Sequence, residues 1–343
     1  MTHLLRLSLL AAALVFLAGC SGPGGGPPEQ GAAGEESSAP AAEPAEAQPL
    51  REEPAGKVVE VGGGPEGIVA DPETGLVAVG LREPDELAIV DGGSGEVVRT
   101  VELPASPRHL GLSGPGGPVL VPVERGDALV QVGLPGGEVL SETPVGKFPH
   151  DDAAGPDGRI FVANEFGDTL SIIDGDEVVE TVNAPRQPGG VVATESGLVG
   201  VIGVSALDLE VFDGETLKSL GRLGAGEGPT HLSAGPGDRF YVTDTRGDAV
   251  LIYESEPQPE QVGRVPLPGQ PYGVAVDPGR GHLWVTLTAE NELVQFDLEG
   301  DSPRELARYP TVSEPNTVAV DTSSGRVYIA GRADGELQIL DPR

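Results

Sequence analysis

The chain is poor in cysteine, lysine and aromatic side chains. Its 343 residues include one Cys, one Met and one Trp, and aromatics make up 4%. Lysine occurs only at Lys57, Lys147 and Lys218. A lone Cys20 leaves no disulfide and no Cys-based metal site, so stability must come from a packed core. Basic groups are few: 21 Lys and Arg stand against 54 Asp and Glu, a net charge of −33. That balance argues against nucleic acid and anionic lipid surfaces as partners. It permits cations or basic partners, and it equally suits solubility in a salty or acidic habitat. Helical periodicity is absent throughout. So are the Gly-x-Ser-x-Gly, His-Glu-x-x-His and Walker sequences. Gly62-Gly63-Gly64-Pro65-Glu66-Gly67 spells Gly-x-Gly-x-x-Gly, but a strand pattern follows where a phosphate site needs a helix.

Arg6 precedes a ten-residue apolar run, Leu7 to Phe16. A bilayer span needs about 20 apolar residues, so this run reads as the h-region of an export signal. It ends in Leu17-Ala18-Gly19-Cys20, which resembles the lipobox of bacterial lipoproteins. That resemblance implies cleavage before Cys20 and lipid on its sulfur and new amine. The alternative is an ordinary signal peptide with an incidental Cys. Residues 20–55 are rich in Gly, Pro, Ala and Glu and lack the apolar surface that would offset ordering, so they read as a disordered acidic tether. Residues 56–343 form the globular part.

That part repeats one pattern seven times. An opening proline recurs at Pro65, Pro107, Pro149, Pro188, Pro229, Pro271 and Pro315, at intervals of 39 to 44 residues by subtraction. Each unit continues with a short apolar run, a Pro/Gly turn and an aromatic or branched pair such as Phe161-Val162 or Trp284-Val285. An alternating strand ending at Asp and a weak, charged fourth strand complete it. A period of about 40 residues with four short strands is the signature of a β-propeller blade. The fold class expected is all-β, a seven-bladed β-propeller with four-stranded blades. The last copy is one strand short, and Lys57 to Val61 has no blade of its own, so the N-terminal strand is expected to close the last blade.

Phe161-Val162-Ala163-Asn164 followed by Leu170-Ser171-Ile172-Ile173-Asp174 resembles the YVTN β-propeller repeat, and Tyr241-Val242-Thr243-Asp244 is a second close copy. Pro271 to Pro278 is similar to the repeat's opening. The resemblance spans all seven units. It implies the architecture, and a family of surface-layer proteins, lipoproteins of unassigned role and relatives of lactonases; it transfers no catalytic residue. Arg125-Gly126-Asp127 and Arg246-Gly247-Asp248 spell an adhesion tripeptide, but both fall at the turn between second and third strands, which explains them.

One constellation remains. His109, His150 and His231 sit at blade openings, where a propeller's innermost strands start beside the central channel. Arg108, Asp151, Asp152, Tyr272 and Asn316 from the openings, with Asn164 and Asp244 from the second strands, are expected around the same mouth. Asp152 breaks the repeat: its counterparts Ile68, Leu110, Val191, Leu232, Val274 and Val318 are apolar. His150 and Asp152 are the candidate ligands for a divalent cation. The competing reading is that the histidines cap the first strand against the neighbouring blade. The function expected is a lipid-anchored, extracytoplasmic binding module on a bacterial membrane. Its expected partners are the membrane, through Cys20, and a small ligand or envelope protein, with the propeller itself a monomer. The alternative is an enzyme of lyase or lactonase type, with a histidine as acid or base and a metal as electrophile.

Overall fold

The computed structural model describes residues 40–342 apart from Glu256 and Asp301. The signal segment, Cys20 and the first half of the tether lie outside the described residues. The described strands form seven four-stranded antiparallel sheets arranged as the blades of a propeller. Innermost strands pack blade against blade in chain order, and that of blade 7 meets that of blade 1. Blade 7 is built from Pro315–Val320, Val327–Gly331 and Glu336–Leu340, with Lys57–Glu60 as its outermost strand. The register pairs Lys57 with Ile339 and Glu60 with Glu336. The expected closure by the N-terminal strand is therefore what the structure shows.

Burial follows the sequence pattern. Second and third strands such as Val119–Val123 and Ala128–Val132 are buried along their whole length. Fourth strands such as Glu177–Asn183 are mostly exposed and charged. The core lies between blades: Ala78, Leu87 and Ile89 of blade 1 pack on Val119, Val121 and Val130 of blade 2. Tyr241, Val250 and Ile252 of blade 5 pack likewise on Leu283, Val285 and Val294 of blade 6. Each Val, Leu or Ile among them contributes about 1.5–3 kcal/mol when fully buried, so the layers between blades carry the stability.

A second device joins the blades. The residue at the turn between the second and third strands holds the chain leading to the next blade. Asp127, Asp168, Asp248 and Asn291 all adopt positive φ there, which Asp and Asn tolerate better than most side chains. Their backbone carbonyls accept the N–H of Val145, Ala184, Leu267 and Thr311. Their side-chain oxygens accept the N–H of Phe148, Gln187, Gln270 and Glu314, each directly before the next opening proline. The Asp of both Arg-Gly-Asp tripeptides is one of these latches. Blade 7 reaches blade 1 through Gly335 O and Val61 N, at 3.0 Å.

After each opening proline the first strand carries a one-residue irregularity against the second, seen for example between Pro149 and Asp151, Pro229 and Leu232, and Pro271 and Val274. Such a bulge re-aims side chains at the end of a strand. Here it aims them at the channel mouth.

Residues 57–61 supply both the last strand and the last latch. Replacing them with a Gly/Ser stretch of equal length should lower the unfolding midpoint by about 10 °C or more. Thermal unfolding by circular dichroism measures this. An unchanged midpoint would show that blade 7 does not need its fourth strand.

Candidate functional site at the channel mouth

Two positions in every blade lie at the mouth, and in blades 2 and 5 the second residue after the proline, His109 or His231, joins them. One directly follows the opening proline: Glu66, Arg108, His150, Gly189, Thr230, Tyr272 and Asn316. The other directly follows the residue paired with that proline on the second strand: Arg82, Glu124, Glu165, Val204, Thr245, Thr288 and Arg332. Blades 1 to 3 and 7 supply the charged side. Blades 4 to 6 supply hydroxyl, apolar and glycine positions.

The charged side is a network of mutual partners. Arg108 meets Glu66 at 3.0 Å and Glu124 at 3.6 Å. Arg82 meets Glu124 at 2.7 Å, and Asn316 Nδ2 donates to Glu66 at 3.1 Å. His150 Nδ1 lies 2.9 Å from Glu165, whose other oxygen accepts from Gln187 Nε2. Arg108 Nε approaches His150 Nε2 at 3.4 Å. The His150 tautomer protonated at Nδ1 satisfies both contacts. Burial pushes the Glu165 carboxyl up, but hydrogen bonds and charge from His150, with the Gln187 amide and Arg108 behind, hold it below the ordinary range.

His109 and His231 come from blades 2 and 5, across the ring, and their Nε2 atoms lie 3.1 Å apart. The His109 ring tilts against His150 at 5.0 Å and stands edge-on to His231 at 4.5 Å. Tyr272 closes the row, 4.6 Å from His231. Burial, reinforced by the neighbouring histidines and Arg108, holds His109 well below the ordinary histidine range. Burial first, then His150 and Arg108, brings His231 down to about 3. Both are neutral at physiological pH. His231 Nδ1 is buried with no hydrogen-bond partner.

A cavity of about 30 Å³ lies among Arg108, His109, His150, Glu165, His231 and Tyr272, with Ala41, Ala42 and Glu43 forming part of its wall. That volume is room for one water or one bare ion. Glu124, His150 and Glu165 each offer a ligand atom within 4.8 Å of the others, so this buried set could hold a metal ion. Arg108 already bridges Glu124 and His150, so an incoming cation must move a guanidinium aside.

The structure thus brings together Arg108, His109, His150, His231, Tyr272 and Asn316. It gives the other expected residues different surroundings. Asn164 is fully buried and donates to Thr169 and Ser171. Asp244 accepts from the N–H groups of Glu227, Gly228 and Gly247 and shapes two loops. Asp151 accepts from Val191 N–H of blade 4 at 2.9 Å, and burial raises its carboxyl to about 6. Asp152 turns the other way, against Gly111 of blade 2, where its Oδ1 would lie 2.1 Å from any Cβ on that glycine. Only glycine leaves space for it. Asp152 is not a member of the Glu124–His150–Glu165 group. Glu66, Arg82, Glu124 and Glu165 went unrecognised in the sequence. Aligning the seven copies at the residue after each proline would have found Glu66.

No protein-family model and no curated protein matches the chain. Solved structures do resemble it. A Kuenenia stuttgartiensis hydrazine synthase chain aligns at a TM-score of 0.73 and 18% identity, covering 83% of this chain and 97% of that one. A streptogramin B lyase aligns at 0.70 and 16%, covering 83% and 98%. A catalytically inactive His-to-Ala variant of virginiamycin B lyase from Staphylococcus aureus, with quinupristin, aligns at 0.69 and 17%, covering 84% and 99%. At these identities the likeness establishes the propeller fold and nothing further.

Both Asp152 oxygens are buried, and only the Gly111 backbone approaches them. Burial first, then the neighbouring Asp151 charge, raises its carboxyl well above the ordinary range, although the Gly111 backbone opposes this. A raised folded value costs nothing below about pH 3.9, where both states are protonated. The cost appears as pH rises and the unfolded chain ionises. Asp152→Val should therefore raise the melting temperature by several degrees at pH 7 and by little at pH 4. A fall at both pH values would mean that the carboxyl has a stabilising partner.

Proposed function

We propose that this protein is a lipid-anchored, extracytoplasmic β-propeller of the YVTN-repeat kind that binds its ligand at the channel mouth. One observation carries the reading. Residues from blades 2 to 6, spread along the sequence from Arg108 to Tyr272, converge on one small cavity where the repeat allows variation. A core needs no such convergence of charge and imidazole. The charged groups are mutually paired and the space between them is small, which favours binding over turnover of an organic substrate.

The cation reading is specific to Glu124, His150 and Glu165, a nitrogen and oxygen donor set suited to zinc or manganese. Arg108 competes for the same carboxylate and imidazole. Calorimetric titration of zinc and manganese at about 0.5 M salt, which screens diffuse attraction, should show weak saturable binding to the wild type. Arg108→Ala should bind at least tenfold more tightly, and His150→Ala should lose the site. If Arg108→Ala shows no saturable binding, no cation belongs there. A lyase reading is favoured by the neutral His109–His231 pair, and the lyases of like fold suggest the substrate to try. It expects loss of quinupristin, followed chromatographically, which His231→Ala prevents.

Anchoring rests on Leu17 to Cys20 after an apolar run. Cys20→Ser should move the protein from the membrane fraction to the soluble fraction, because no described helix is long and apolar enough to cross a bilayer. A mutant that still sediments with membranes would remove the lipid anchor from the reading.

A further inference from the structure

Composition assigns residues 40–55 to a tether, yet they lie along the propeller face. Their contacts have a consistent form. Pro40 C=O accepts from Arg246 Nη1 of blade 5 at 2.9 Å. Ala45 N–H donates to Thr288 Oγ1 of blade 6 at 3.1 Å. Gln48 C=O accepts from Asn291 Nδ2 at 2.8 Å. In all three the propeller uses a side chain and the segment uses its backbone. Between the first two contacts, Ala42 is 8% exposed and Ala41 packs on the core cluster that contains Val204, Leu232 and Leu251. Gly228 leaves the space: a Cβ there would come within 3.0 Å of the Ala42 methyl. Ala41 to Glu43 then form the roof over His109, His231 and Tyr272.

Recognition through main-chain groups, with one pocket for a side chain, is how proteins bind extended peptides. Proline at 40, 44 and 49 restricts the free segment and lowers its ordering cost. We propose that the blade 5 and 6 side of the mouth is a docking groove for an extended peptide, with residues 40–48 as its occupant in cis. The matching partner is an extended, proline-spaced segment of another protein that seats a small side chain over the histidine–tyrosine pocket. The inference rests on the mouth being the binding site and names the ligand class for it. Three hydrogen bonds and one buried alanine are a small return for ordering nine residues. The roof is therefore displaceable, while its covalent attachment to the closing strand gives it a high effective concentration.

The experiment uses the chain carrying Cys20→Ser, with residues 40–48 intact or replaced by Gly and Ser at equal length. The probe is a fluorescein-labelled peptide with the sequence of residues 38–50, followed by anisotropy. The replaced protein should bind it saturably, and the intact protein at least tenfold more weakly. Adding Arg246→Ala and Thr288→Val to the replaced protein should weaken binding at least tenfold, as should Arg in the peptide at the Ala42 position. Absent saturable binding, or binding indifferent to all three changes, overturns the proposal. Should the replaced protein not fold, hydrogen exchange on the intact chain serves: the Ala45 amide, which donates to Thr288, should be protected and lose protection as free peptide is added. Protection that is absent, or unmoved by peptide, also overturns it. Titrating zinc into the same proteins separates the two readings. Peptide binding without a cation site removes only the cation, and a cation site without peptide binding removes only the groove.

Discussion

Each blade is held to the next by one residue at its second turn. That residue offers its carbonyl to the chain leaving the outer strand and, in blades 2, 3, 5 and 6, its side-chain oxygen to the residue before the next opening proline. In those four blades the residue combines a positive φ with a short acceptor side chain, which suits Asp or Asn, while Leu207 and Gly335 make the carbonyl contact alone in blades 4 and 7. Everything at the mouth depends on this latch. It sets where each first strand begins, and the bulge after the proline then aims the next side chains inward. Without fixed starts, His109 and His231, 122 residues apart, could not meet at 3.1 Å.

The ring is sevenfold in backbone and asymmetric in chemistry. The four blades 7, 1, 2 and 3 place guanidinium, carboxylate and imidazole groups at the mouth, satisfied mainly by one another. In the low dielectric of that site, any unmatched charge would be costly. Blades 4 to 6 keep Gly189, Val204, Thr230, Thr245 and Thr288, uncharged positions at which the Thr288 hydroxyl accepts the strap's Ala45 N–H. The strap lies on this second side, where the contacts it makes do not disturb the ion pairs. Site and roof thus divide the mouth by chemistry.

Asp152 shows how a departure from the repeat can mislead. Six apolar counterparts single it out, and a buried carboxylate suggests a ligand. Ordinary strand alternation, however, turns the two residues to opposite neighbours, Asp151 to blade 4 and Asp152 to blade 2. Glu124 and Glu165 carry no comparable mark in the sequence. They become partners of Arg108 and His150 only because the second strand ends beside the first.

What the sequence determined is what repeats: the seven openings, four strands each, the exposed outer edge and the unpaired strand at 57–61. Local pattern decides these, since alternation, turn residues and spacing act within one blade and recur in the next. It also marked the residues after the prolines, so Arg108, His109, His150, His231, Tyr272 and Asn316 were legible. What only the tertiary structure decided is which of them touch. Closure of the ring puts blades 2 and 5 face to face, and Glu66 of blade 1 against Asn316 of blade 7. The strap was illegible for a related reason. Pro, Ala and Glu in residues 40–48 lack the apolar surface to fold alone, and their order comes from a groove that exists only when the other blades are in place.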